Sequence, residues 1–282
     1  SSIFGSLFDS YEARPFNILE QGTKAIGLRT RFIQNTMLGK NKFQWTTGIE
    51  FFNDQNLIKT FENLYRDYPP GTGSVQGSLL SDFKERRHYF NVFMEAKYNL
   101  SPKFLIDFGL NLNQTSYNLD DNFNLGSDDF SGNYSFDAIL SPKIGLNYQI
   151  NRSSMLYASI SHGFSPPKLE ETLLPDGLIN NDIQPETGWN YEIGSRGKVI
   201  KDIFNYEIYV YLMDIDNLLV ARRTGDDQFI GVNAGKTIHK GLEIALNYFL
   251  INKKQVQLSH SNSFSLNNYT FEEFQDLDDD YS

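Results

Sequence analysis

The sequence predicts an all-β fold, an antiparallel portion of a transmembrane β-barrel with about ten long strands in five hairpins. Three observations predict it. Side-chain polarity alternates with a period of two over several stretches of about 13 to 15 residues. The connections between these stretches are alternately short and long. No run approaches the roughly 18 apolar residues of a membrane helix, so a bilayer would have to be crossed by strands.

The alternation can be followed along the chain. It begins weakly over 26–32 and 43–51, and continues over 88–100. It is clear at Phe104, Ile106, Phe108, Leu110 and Leu112, set against Asp107, Gly109, Asn111 and Asn113. From Phe136 it runs through Ala138, Leu140, Pro142, Ile144, Leu146, Tyr148 and Ile150. It returns over 189–195, then at Phe204, Tyr206, Ile208, Val210 and Leu212. The last clear set is Ile238, Leu242, Ile244, Leu246, Tyr248 and Leu250. Strands of soluble proteins usually run three to ten residues, whereas a tilted strand needs about 9–11 in hydrocarbon plus its extensions. The apolar face is the more uniform one, as a lipid-facing wall requires. The opposite face carries too many Asn, Gln, Asp, Glu and Lys for a dry sandwich core.

Short connections fall near 38–41, 99–102, 150–153, 198–202 and 251–254, rich in the Asn, Ser, Pro, Lys and Gly that turns favour. Long polar stretches fall near 53–85, 118–133, 165–185 and 222–235. Tight turns on one side and long loops on the other are characteristic of outer-membrane barrels. Residues 1–16 read as the end of an earlier strand and its loop.

Composition excludes other classes. Cys is absent, which removes disulfides and thiolate chemistry. With 25 basic and 35 acidic residues the net charge is -10, which argues against nucleic acid as a partner. Aromatic residues make up 15%, and Trp45, Trp189 and many Tyr suit interfacial girdles. The chain starts with Ser and ends in a polar acidic run that includes 278–280, read as loop. An apolar, aromatic final strand is expected of a complete barrel, so 1–282 reads as a partial barrel domain.

Four segments then carry a resemblance. They are Leu156-Tyr157-Ala158-Ser159-Ile160-Ser161-His162-Gly163-Phe164-Ser165-Pro166-Pro167 with Glu170, and Pro185-Glu186-Thr187 with Asn190-Tyr191-Glu192-Ile193-Gly194. Val210-Tyr211 with Ile215-Asp216-Asn217 follows, and then Asn233-Ala234-Gly235 with Gly241-Leu242-Glu243. In this order they resemble the β-barrel domain of TonB-dependent outer-membrane receptors. The resemblance implies a bacterial outer-membrane location and a 22-stranded barrel filled by an N-terminal plug domain. It implies active uptake of a scarce ligand, a ferric siderophore first among them. The implied partners are outer-membrane lipid, the ligand, and the TonB complex acting through a plug segment outside this chain. The plug and the C-terminal strands are expected to be absent from 1–282. No cofactor is called for.

Candidate chemistry is sparse. A barrel enzyme would need a base and nucleophile in one cleft, but by parity His88, His162 and His260 lie on the apolar side and only His239 on the polar one. An enzyme is therefore not expected. Asp120, Asp121, Asp128 and Asp129 could take a hard cation, although a solvated acidic loop is the ordinary reading. Gly71-Thr72-Gly73-Ser74 lacks the Lys and helix of a phosphate loop and reads as a turn. Tyr117 has lumen parity near the outer end of its strand, which makes it a ligand-binding candidate. Arg222 and Arg223 could meet an anionic ligand, but the alternation fades after Leu212 and leaves their facing open. Alternatives from other classes are a passive porin or structural barrel and a soluble β-sandwich, which the long one-sided strands disfavour.

Overall fold

The structure is a computed structural model. It describes residues 1–282 except 16, 125–128, 168–179, 181–182, 201–202, 226–227, 274, 277–278 and 281–282. The main sheet follows the chain almost without interruption. Its strands are β1 (Ser2–Ala13), β2 (Asn17–Leu38), β3 (Asn41–Asn63), β4 (Gln76–Asn99) and β5 (Phe104–Asp121). A short β6 (Gly132–Ser135) precedes β7 (Ile139–Asn151), β8 (Ser154–Ser165), β9 (Glu186–Ile200) and β10 (Phe204–Asp216). A separate ribbon, β11 (Leu219–Gly225) with β12 (Gln228–Asn233), leads to β13 (Lys236–Asn252) and β14 (Gln257–Glu273). The sheet order is β1-β2-β3-β4-β5-β7-β8-β9-β10-β13-β14, and every pairing in it is antiparallel.

The five expected hairpins are all present, and within residues 1–16 the strand β1 (Ser2–Ala13) is followed by a short connection to β2, so eleven long strands line up in the described sheet. The short turns have local causes. Leu38 pairs with Asn41 across a two-residue turn, in which Gly39 takes φ 66°, a conformation a side chain would resist. Ser101 Oγ accepts from the Lys103 and Phe104 amides at 3.3 and 3.1 Å, which closes β4 onto β5.

Register carries one face across the whole wall. Leu242, Val210, Ile193, Ala158, Leu146 and Ile106 lie opposite one another in succession. Ile193, Val210 and Leu146 stay 59, 47 and 45% exposed. On the other face even polar groups are shielded: Asp54 is 5%, Glu85 3% and Asn113 2% exposed. A curved sheet crowds the side chains of its concave face and spreads those of its convex face. The polar face is therefore the inside of the curve and the apolar face its outside, as the parity predicted.

Three expectations need correction. The stretch 53–85 is not mainly loop: β3 runs to Asn63 and β4 begins at Gln76, so only 64–75, with a single 3-10 turn at Tyr65–Asp67, connects them. The hydropathy signal fades there because Asn53 to Asn56 put polar groups on both faces, while the backbone ladder continues, with register shifts near Phe61. Similarly, 222–235 holds the β11–β12 ribbon, and β10 continues to Asp216 beyond the fading alternation. At the end of the chain Asp279–Asp280 forms a two-residue strand, β16, against β15 (Gln275–Asp276), rather than a loop, while Asp278 lies outside the described residues.

Candidate functional site

The outward face of β3, β4 and β5 carries an apolar band with a sharp upper edge. Phe43, Trp45, Thr47, Ile49 and Phe51 on β3 pair with Tyr98, Ala96, Met94, Val92 and Phe90 on β4. Phe104, Ile106, Phe108, Leu110 and Leu112 continue that band on β5. Nine residues per strand match the roughly 9–11 a tilted strand spends in hydrocarbon. The next outward row is Asn53, His88 and Ser116, and Gln55, Arg86 and Asn118 lie beyond it. Past the band β3 continues for residues 53–63, roughly 35 Å of strand at about 3.3 Å per residue. Outward ion pairs stitch this extension together, Lys59 to Asp82 at 3.2 Å and Arg86 to Asp120 at 2.6 Å.

The inner side of the same extension is the candidate site. Register stacks Arg29, Glu50, Asn91 and Asn113 in one row, and Gly27, Phe52, Tyr89 and Thr115 in the next. Ala25, Asp54, Arg87 and Tyr117 form the third row, and Thr23, Asn56, Glu85 and Leu119 the fourth. Arg29 reaches Glu50 at 2.8 Å. Arg87 grips Asp54 through both Nη2 and Nε, at 2.6 and 3.3 Å, and lies 5.9 Å from the Phe52 ring centre. Asn56 donates to Glu85 at 2.9 Å and accepts from Thr23 at 2.8 Å. Phe4 stacks on Phe52 at 6.0 Å. Glycine at 27 makes room for the Phe4 ring, which a Cβ would meet at 2.2 Å. Burial raises the Glu85 carboxyl above its ordinary value, with the Asp54 charge adding to it, although the Asn56 hydrogen bond pulls the other way. Aromatic faces and polar groups thus alternate on one concave surface that opens above the lipid band.

Tyr117 occupies the inward position its parity predicted, but it is not open: it is 5% exposed. Its hydroxyl donates to the Pro167 carbonyl at 2.8 Å, and its ring meets Phe136 edge-on at 5.8 Å. Burial pushes its phenol up to about 12. Tyr134 in turn donates to the Ile183 carbonyl. Tyr117 and Tyr134 therefore fasten Pro167 and Ile183 to the wall. Arg222 and Arg223 sit away from the main sheet on the ribbon, opposite Ile230 and Phe229. Arg222 is half-buried, and the side chain of Arg223 is not among the described atoms. Asp54 and Glu85 were missed because 53–85 read as loop, and Arg29, Glu50 and Arg87 because the pairing of their strands does not show in the sequence. Their shared parity with Tyr117 across paired strands was the available signal.

The acidic candidates for a cation are committed elsewhere. Asp120 pairs with Arg86, and Asp129 accepts from the Ser131 amide at 2.8 Å. Asp121 accepts from the Phe123 and Asn124 amides at 2.9 and 3.1 Å, and Asp128 lies outside the described residues. Burial pushes the Asp121 carboxyl up, but these hydrogen bonds outweigh it and the net shift is down. The four His are dispersed: His162 packs on Trp189 and His239 on Tyr269, while His88 meets Asn53 and His260 meets Asn262.

The segments singled out in the sequence hold strand ends. Asn233 accepts from the Gln184 amide at 2.7 Å and donates to the Gln184 and Asn217 carbonyls at 2.9 and 2.8 Å. Glu186 accepts from the Leu219 amide at 2.7 Å. The family described as TonB dependent receptor-like, beta-barrel, matches residues 4–282. The chain belongs to this family. Its members are bacterial outer-membrane transport receptors rather than enzymes. Among solved structures the unliganded ferric citrate transporter FecA is similar, with a TM-score of 0.72 at 16% identity. That match covers 95% of this chain and 39% of FecA. The ferripyoverdine receptor of Pseudomonas aeruginosa matches with a TM-score of 0.67 at 16% identity, covering 94% of this chain and 36% of that one. The Ferric-pyoverdine 358 receptor of Pseudomonas putida is 24% identical over 113 residues, 39% of this chain and 13% of that receptor. The chain thus spans well under half the length of these relatives.

Proposed function

We propose that the chain is part of the barrel wall of a TonB-dependent receptor that actively takes up a scarce ligand, with ferric siderophores the leading class. The observation that carries this is the concave surface rising above the lipid band. It combines the partly exposed Arg87, Asn56 and Tyr89 with the Phe52 ring, the mixture of hydrogen-bonding groups and flat aromatic faces that suits a polar chelate, while the buried Asp54 holds Arg87 in place. The similar receptors named for ferric citrate and ferripyoverdine support the ligand class. In this reading further strands of a longer protein pair with β1 and β14. Each of these has one partner in the described sheet, and an open edge at membrane depth is costly. A plug domain lies against the inner face, where Glu192 and Glu243 point away from lipid, and couples the receptor to TonB. The test is uptake by the full-length receptor in cells given a panel of radiolabelled ferric chelates. One or more chelates should accumulate, and accumulation should stop when the inner-membrane proton gradient is collapsed. Accumulation that survives the collapse would make the barrel a passive porin. Deleting 64–75 should weaken surface binding while the barrel still assembles.

A further inference from the structure

The outward face of β7 to β10 holds a groove that ends beside a lone cation. Its floor is Ala158, the smallest side chain in the outward row Leu242, Val210, Ile193, Ala158, Leu146 and Ile106. A methyl among larger neighbours leaves a depression of about 550 Å3, walled by Leu146, Ile160, Ile193, Val210 and Leu212. Leu212 stands between Tyr191 on β9 and Lys240 on β13. Lys240 is exposed and interrupts an outward run that Ile238, Leu242, Ile244 and Leu246 otherwise keep apolar. Its outward neighbours across strands are Leu212 and Asn268, neither of them charged. In the next row, toward the 217–235 connection, the Asp214 carboxylate is held by Lys236 at 2.8 Å. Among the described residues Lys240 forms no ion pair. Trp189 shares the row of Asp214 and packs on His162 at 5.2 Å, as suits an aromatic girdle at a membrane interface. Long connections of such barrels face the outside of the cell, so Lys240 lies at the outer leaflet.

We propose that this groove binds one acyl chain of lipid A, the phosphorylated glycolipid of the outer leaflet, with Lys240 on one of its phosphates. A cation beside hydrocarbon is costly until an anion or water reaches it. The groove and the lysine together match an amphiphile, with its chain along Ala158 and its charge above Leu212. A free anion has no use for the groove, and a neutral lipid has none for Lys240. Lysine is a compact charge on a flexible stem, so it follows a phosphate without a fixed geometry. This face points away from the lumen, so neither a plug nor a transported ligand covers it. The proposal therefore holds whatever the receptor takes up.

The experiment uses the full-length receptor, stripped of lipid in detergent micelles. Native mass spectrometry counts bound lipid during titration with lipid A, with its phosphate-free form and with phosphatidylglycerol. Lipid A should bind saturably, and the phosphate-free form about tenfold more weakly, the loss expected from one charge-assisted hydrogen bond. Lys240→Gln should lower affinity for lipid A by the same about tenfold, while Lys240→Arg retains most of it. Ala158→Leu fills the depression and should weaken both forms of the lipid alike. Lipid A binding that is unchanged in Lys240→Gln, or unchanged in Ala158→Leu, overturns the site. Phosphatidylglycerol that binds as tightly as lipid A overturns lipid A as the occupant. If a variant fails to assemble, the wild-type receptor still decides, because equal affinity for the phosphorylated and phosphate-free lipids overturns the proposal.

Discussion

The two halves of the wall solve different problems with the same alternation. Strands β2 to β5 have 22, 23, 24 and 18 residues, whereas β7 to β10 have 13, 12, 15 and 13. The first half spends the excess above lipid, where the outward face turns from Phe51 and Phe90 to Asn53 and His88. Some of its inward charges are shielded and paired across strands, as Asp54 is by Arg87, while Arg29 is paired with Glu50 but stays exposed. The second half stays close to the length a bilayer needs. Its inward charges, such as Arg196 and Glu207, stay exposed and loosely engaged. A shielded charge has to be neutralised where it stands. An exposed one needs no partner within the sheet.

The comparison breaks first at the lipid-facing wall. Ile244 lies midway along the outward run from Leu250 to Ile238, opposite Ile208 and Phe264. Ile244→Arg should cost about 2–4 kcal/mol, the cost of a cation at the bilayer midplane. Ser116→Arg has the same outward facing but lies one row above the band. It should cost about 0–1 kcal/mol, as near an interface. Urea unfolding of the full-length receptor in lipid vesicles measures both, and equal costs would show that the band has been drawn in the wrong place.

The next largest difference concerns paired and unpaired charges on the inner face. Arg87→Met leaves the Asp54 carboxylate, 7% exposed in its side chain, without its guanidinium. The loss should be about 1–3 kcal/mol, the cost of a buried polar group left unsatisfied. Adding Asp54→Asn should recover much of it, because the stranded charge is then gone. Arg196→Met should change stability by no more than about 0.5 kcal/mol, as for other exposed positions. Denaturant midpoints of the four proteins decide this, and an Arg196 effect as large as that of Arg87 would erase the contrast.

The same contrast explains what the sequence made legible. Where one face meets lipid, polarity alternates strongly, and from Phe104 to Leu112 facing and turn positions follow from residue type alone. Above lipid both faces are wet, and 53–63 alternates Asn53, Asp54, Gln55 and Asn56 with no polarity contrast to mark a strand. That part of the wall is held by register and ion pairs, which a one-dimensional reading does not expose. Tyr117 was found because its strand enters from the lipid band, so parity could be counted outward from Leu112. Arg29, Asp54, Glu85 and Arg87 become its neighbours only once β2, β3 and β4 are paired.

The smallest expected effect separates two buried carboxylates within the tall half. Burial raises the Glu85 carboxyl above its ordinary 4.5, so the folded state holds the proton more tightly than the unfolded chain. Its contribution is then fully present below about pH 4.5 and is lost as pH rises through the raised value. Asp121 has the opposite sign, since it is held below its ordinary 3.8 by hydrogen bonds that outweigh burial. Its contribution is present above that value and is lost as pH falls further. Glu85→Gln keeps an acceptor for Asn56 and removes the titration. It should leave the receptor at least as stable as wild type at pH 7 and flatten the stability loss between about pH 4.5 and 7. Asp121→Asn should instead lower stability at pH 7, with the difference from wild type shrinking under acid. Midpoints across pH 3 to 8 for the three proteins provide the measurement. If Glu85→Gln loses stability at pH 7, the Glu85 charge is stabilising in the fold, and the shielded inner face is better hydrated than its burial indicates.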